Sequence, residues 1–187
     1  MRNLLKKYKH IGDAGFLLIA NLVVNIGNYG LNIILGRWLG PEGFADANLL
    51  ATLVMLLSFI AMGLQLVIAK YSAQYQALEQ SDKLDSLVSN IYKIVLKWSI
   101  VFTIVLLLSA PLLKSFFNFN SVIAFIILII GIPSYFIMSA SRGYYQGISS
   151  FKKLGKTYLI EMGTRVFFTV ILLLLIGKEL YSAELVA

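Results

Sequence analysis

Five long apolar runs dominate this chain, and their length leaves few folds open. A helix needs roughly 20 apolar residues to cross the hydrocarbon of a bilayer. Segments at about 14–36, 47–69, 94–113, 121–140 and 157–176 meet or nearly meet that length. No ten-residue stretch alternates apolar and polar positions, so a membrane barrel is not indicated. In lipid every backbone amide must be paired within its own segment, so the runs are expected to be helices. Composition supports the same class. Hydrophobic residues make up 59% and charged residues 13%, against about 45–50% and 25% in soluble domains. Mean hydropathy is +0.82. A soluble core could not hide that excess.

The start could imitate a secretory signal, since Arg2, Lys6, Lys7 and Lys9 precede an apolar run. A signal core is only about 7–15 residues long and ends at small cleavage-site residues. Here the run continues past Gly15 to Leu35, which reads as a retained span. Cysteine is absent, which removes disulfides, thiol nucleophiles and Cys metal sites. The single histidine, His10, falls in the basic N-terminal tail and reads as solvated.

Local punctuation gives the remaining organisation. The first span is expected to end at Leu39, Gly40 and Pro41, with glycine as the left-handed cap and proline unable to continue. Trp38 suits the interfacial belt. After the second span, Tyr71, Tyr75 and Leu78 keep helical spacing into a polar connector over about residues 71–93. Ser81 and Asp82 read as a fresh helix start with Asp85 in its first turn. Pro133 predicts a kink within the fourth helix rather than its end. Gly143 and Gly147 are expected to mark a turn before the fifth.

Cations alternate between successive connections. Arg2, Lys6, Lys7 and Lys9 precede the first span, and Arg37 alone follows it. Lys70, Lys83, Lys93 and Lys97 follow the second, and Lys114 alone the third. Arg142, Lys152, Lys153 and Lys156 follow the fourth, and Lys178 lies beyond the fifth. Positive loops stay in the cytoplasm, which predicts a cytoplasmic N-terminus and an outer C-terminal end. The net charge of +7 then reflects topology and anionic membrane lipids. It does not indicate nucleic acid, whose signature is a basic face on a folded domain.

Polar residues inside the spans carry the functional signal. Asn21, Asn25, Asn28 and Asn32 fall within about 60° of one another on a helical wheel. One reading is helix glue, in which amides bond across helix pairs for about 0.6–2 kcal/mol each. The other is the wall of a wet, substrate-sized cavity. The second span offers Asn48, Thr52, Ser58 and Gln65, which do not form a matching ladder, so the cavity reading is favoured. Glu161 and Arg165 stand four apart inside the fifth span, in the favourable intrahelical order. They read either as a self-neutralising pair or as a cation held by Glu161 toward an anionic ligand. Charges in mid-membrane cost at least about 2.5–3.5 kcal/mol and mark function by default. Lys93 and Lys97 read as snorkelling cations. Arg37 and Lys70 sit at helix C-termini, where the dipole alone accounts for a cation. No metal-binding acidic pair, phosphate loop or zinc motif occurs, so neither a cofactor nor an enzyme is expected.

Three blocks carry a resemblance. Arg37, Leu39, Gly40, Pro41, Glu42 and Phe44 resemble the "ARxLGPExFG" junction after the first helix of polysaccharide and lipid-linked oligosaccharide flippases, members of the MOP superfamily. Lys70, Tyr71 and Tyr75 resemble the end of that family's second helix. Arg142, Gly143, Gln146 and Gly147, followed by Glu161 and Arg165, are similar to its "RGxxQG…E…R" block, found in the spore-cortex and O-antigen branch. The resemblance implies that the chain is most of the first six-helix lobe of a V-shaped, MATE-like transporter. It implies a polyprenyl-diphosphate-linked oligosaccharide as substrate, moved from the cytoplasmic to the outer leaflet of the cell membrane. Arg37, Lys70, Arg142 and Arg165 would be the basic cavity residues. Arginine offers a diphosphate a planar fork of donors, and the asparagine ladder suits sugar hydroxyls.

Implied partners are the lipid-linked sugar, membrane lipids, the C-terminal lobe and a polysaccharide polymerase or assembly machinery. The five spans fall short of one lobe, so the chain reads as a fragment that would not transport alone. Two alternatives stand beside this reading. A cation-coupled drug exporter commonly carries a carboxylate in its first helix, whereas Asp13 here precedes the span. A non-transporting assembly subunit would use the asparagine stripe for helix pairing.

Overall fold

The computed structural model describes the backbone of residues 2–117 and 122–184, with side chains over 12–39, 43–113, 115–116 and 125–174. Five helices account for nearly all of it: α1 (Arg2–Trp38), α2 (Gly40–Ala77), α3 (Ser81–Phe117), α4 (Val122–Gly147) and α5 (Phe151–Glu184). Each contains a stretch long and apolar enough to cross a membrane. The helices overrun the expected spans. α1 reaches back to Arg2, so the basic N-terminal segment is helical backbone rather than a tail. The side chains of His10, Lys114 and Lys178 lie outside the described residues. The polar connector is mostly two helix ends, with a three-residue link at 78–80. α3 starts at Ser81 with Asp82 in its first turn, where an acid meets the positive dipole end.

Two expectations about punctuation are corrected. Gly40 does not cap α1. It is the first residue of α2, and only Leu39 separates the helices. Pro41 therefore sits in a first turn, where its missing N–H costs nothing and its fixed φ is already helical. Gly143 does not mark a turn either. It lies inside α4, and only Gly147 ends that helix. A Cβ at Gly143 would stand 2.6 Å from the backbone oxygen of Gln65 on α2, and one at Gly147 2.5 Å from that of Ala69. These glycines let two backbones approach, the usual role of small residues between membrane helices. α4 continues through Pro133 and α3 through Pro111.

The turns after α2 and α4 share one construction. Glu79 and Ser149 adopt φ of 54° and 55°. Gln80 N–H donates to Tyr75 O at 3.0 Å and Glu79 N–H to Gln76 O at 3.1 Å; Ser150 N–H donates to Tyr145 O at 2.8 Å and Ser149 N–H to Gln146 O at 3.1 Å. Both are Schellman caps, with a non-glycine residue in the left-handed position.

The chain divides into two compact units, Met1–Phe44 with Phe151–Ala187, and Ala45–Ser150. In the first, α1 packs on α5. Gly155 lies against Phe16 and Ala20, and Gly27 lies against Met162. Both series of residues ascend together, so the two helices run parallel.

In the second unit, α2, α3 and α4 enclose two apolar clusters. One contains Ala110, Phe125, Ile129 and Ile132. The other contains Ile68, Val95 and Ala140. Ser139 Oγ donates to Ala61 O at 2.7 Å, and the Gln65 amide donates to Gln146 Oε1 at 3.0 Å. With the glycine contacts, these show α2 and α4 parallel. Tyr92 bonds Ser141 at 2.7 Å, and Thr103 lies against Ile129 O. Those pairs ascend in opposite senses, so α3 is antiparallel to α4. Each unit thus has the helix directions required of successive membrane crossings.

Candidate functional site

On the α1–α5 pair the ladder and the intramembrane charges meet. Arg165 Nη1 donates to Asn28 Oδ1 at 3.0 Å, and Arg165 Nη2 donates to Glu161 Oε1 at 2.6 Å. Asn32 Nδ2 donates to the Asn28 backbone oxygen at 3.1 Å. The Arg165 and Glu161 side chains are 46% and 23% exposed. Asn28 is half-buried, and Asn21, Asn25 and Asn32 are exposed. The second span is not expected to match the ladder, and at Asn28 the amide oxygen is taken instead by Arg165 of the fifth helix. The link depends on register. Gly27 seats Met162, which brings the next exposed turn of each helix, Asn28 and Arg165, alongside.

The guanidinium is aimed but not saturated. It has five N–H donors, and Asn28 and Glu161 occupy two. Glu161 fixes its direction along the seam through an i, i+4 bond. The remaining donors, with the free faces of three exposed amides, make a mixed donor and acceptor surface along one flank of the pair.

The opposite flank has another chemistry. Val23, Gly27, Leu159, Gly163, Phe167 and Val170 help line an apolar groove of about 620 Å³. At 100° per residue, Gly163 lies on the far side of α5 from Arg165, and Val23 on the far side of α1 from Asn25. The pair is therefore two-faced across its own axis.

The other sequence-selected residues are placed separately. Arg37 is exposed near the end of α1, about 14 Å along the axis from Asn28. Lys70 is exposed on α2, and Arg142 is buried on α4 at 7% exposure. In that unit, sequence reading missed the Gln65–Gln146 pair. Gln146 belongs to the "RGxxQG" block, but nothing in a single sequence says which helix it will face. No group of three or more metal-ligating side chains occurs among the described residues.

A family model described as "Polysaccharide biosynthesis protein" matches residues 12–187. Comparisons with curated proteins and with solved structures found no match.

Proposed function

From the premise that the chain belongs to the polysaccharide biosynthesis protein family, a family of multi-pass membrane proteins with a flippase-type role, we propose that it moves a polyprenyl-diphosphate-linked oligosaccharide between leaflets. The observation that supports this most is the two-faced α1–α5 pair. Three exposed amides in one row with a half-exposed guanidinium, bonded to the fourth amide between them, are costly against acyl chains and stable against water, sugar hydroxyls or phosphate oxygens. The apolar flank suits lipid or neighbouring helices.

In this reading Asn21, Asn25, Asn28 and Asn32 escort the sugar, exchanging hydrogen bonds without imposing net charge. Arg165 offers its unused donors to a diphosphate oxygen. Glu161 is a positioning residue that keeps the side chain extended along the seam. Arg37, Lys70 and Arg142 supply further positive charge, since Glu161 offsets that of Arg165. Movement would require a second lobe, because alternating access rocks one repeat against another. The N-terminus would lie in the cytoplasm, as the alternation of cations implies.

Two measurements test this. Cysteine is absent from the chain, so single cysteines at positions 21, 25, 28 and 32 report against no background. Labelling of all four by a membrane-impermeant thiol reagent is expected, and uniform protection would leave only helix glue. Binding of a polyprenyl-diphosphate sugar in nanodiscs is expected to weaken about 10-fold or more in Arg165→Ala, the loss of one charged hydrogen bond. Arg165→Lys should restore part of it. Unchanged affinity in Arg165→Ala would remove the residue from the site. Binding that depends on a proton or sodium gradient and accepts hydrophobic cations would favour a drug exporter instead.

A further inference from the structure

A furrow follows the seam between α2 and α3, remote in sequence from the amide ladder. Three hollows compose it. The first, about 450 Å³, lies beside the α2–α3 turn and is lined by Tyr75, Asp82, Lys83, Ser86 and Asn90, among others. The second, about 400 Å³, is apolar and takes Leu64, Trp98 and Phe136 in its walls. The third, about 250 Å³, is apolar as well and reaches Leu53, Leu106 and Ile129. They adjoin one another. Ile94 lines the first and second, and Ile60 and Phe102 line the second and third. Helix α4 forms the floor through Phe136, Ile132 and Ile129.

The furrow therefore has a polarity gradient along its length. Its charged and amide side chains lie at the turn end, and its deeper part is hydrocarbon and aromatic apart from Ser99, whose hydroxyl is turned back onto Leu96 O of its own helix. Asn90 to Phe102 spans about 18 Å of helix, comparable to half the hydrocarbon thickness of about 30 Å. Asp82 to Asn90 adds about 12 Å at the membrane edge. Trp98 is 64% exposed and Ile94 57%, so the slot opens sideways.

We propose that this furrow seats one glycerophospholipid with a zwitterionic headgroup, from the leaflet adjoining the α2–α3 turn. Charge decides the headgroup. The mouth carries one carboxylate, Asp82, and one ammonium, Lys83, both exposed and neither held by a side-chain ion pair among the described residues. A headgroup with one charge of each sign meets both: its ammonium faces Asp82 and its phosphate faces Lys83. A purely anionic headgroup would place its charge against Asp82. Ser86, Asn90 and the Tyr75 hydroxyl suit the ester and phosphate oxygens. One acyl chain then lies over Ile94, Trp98 and Phe102. The lipid would brace the seam between α2 and α3, independently of what the α1–α5 flank carries.

Trp98 supplies the readout, because the chain has two tryptophans and Trp38→Phe leaves Trp98 alone. The full chain is placed in vesicles doped with acyl-brominated phosphatidylethanolamine or with acyl-brominated phosphatidylglycerol. The zwitterionic probe is expected to quench Trp98 at about two- to fivefold lower mole fraction, the preference worth one exposed ion pair. Asp82→Asn with Lys83→Gln should abolish that preference without altering the fold, since both side chains are exposed. Lys152→Gln, an exposed cation on α5 in the other unit, should leave it intact. Quenching in simple proportion to mole fraction for both probes would mean annular lipid only and overturn the proposal. So would preference for the anionic probe, or a preference that survives the double variant or is lost in Lys152→Gln.

Discussion

In the α1–α5 pair few apolar side chains are buried, namely Ala20, Leu31, Leu154, Met162 and Leu173 among the described residues, and the chemistry sits on an exposed flank. In the α2–α4 unit the interior is filled by Phe125, Ile129, Ile132 and Ile68, and polar side chains are spent on joining helices. Gln65 with Gln146 and Ser139 with Ala61 O are contacts between helices, whereas Asn21, Asn25 and Asn32 are open. Water cannot drive helices together inside lipid, so association rests on packing and interhelical hydrogen bonds. The second unit uses both fully. The first leaves much of its polarity unspent.

The glycines give the widest test of that contrast. Gly147→Leu would drive a side chain into the backbone at Ala69, where a Cβ already stands at 2.5 Å. A cost of about 3 kcal/mol or more is expected, seen as loss of the thermal transition in detergent. Gly27→Ala meets only the Met162 side chain, its methyl at 2.5 Å and its Cγ at 3.1 Å. Methionine can rotate away, so a loss of about 1 kcal/mol is expected. Equal losses at the two sites would erase the distinction between a backbone seam and a side-chain seam.

A double-mutant cycle on Asn28→Ala and Arg165→Ala measures how much the first unit gains from the bond between those side chains. A coupling of about 0.6–1.7 kcal/mol is expected; zero would mean that the bond does not hold the pair together. The smallest effects belong to the second unit. Ser72 Oγ is buried without a hydrogen-bond partner, so Ser72→Ala is expected to be neutral or stabilising by up to about 1 kcal/mol. A clear loss would reveal a partner for that hydroxyl. Glu79→Gly and Ser149→Gly relieve a left-handed backbone at each Schellman cap. Each should gain about 0.5–1 kcal/mol, read as a raised melting temperature.

The helices were legible in the sequence because hydrocarbon thickness sets a length that composition must meet. The start of α3 was legible because Ser81 and Asp82 act locally on its first turn. Gly40 and Gly143 were misread because glycine serves two purposes, turning a chain and admitting a neighbour, and only the neighbour distinguishes them. Pro41 was misread because the same residue stops one helix and opens another.

The sequence by itself determined that this chain crosses a membrane, where it crosses, and that amides and a charge pair travel with it. Those are one-dimensional properties, set by apolar length and by chemistry that lipid tolerates poorly. Only the tertiary structure decided that α5 reaches α1, that Arg165 bonds Asn28, and that the α2–α3 seam stays open as a furrow. In lipid every apolar helix face is equally at ease, so hydrophobic pattern names no partner. Shape at Gly27, Gly143 and Gly147 does.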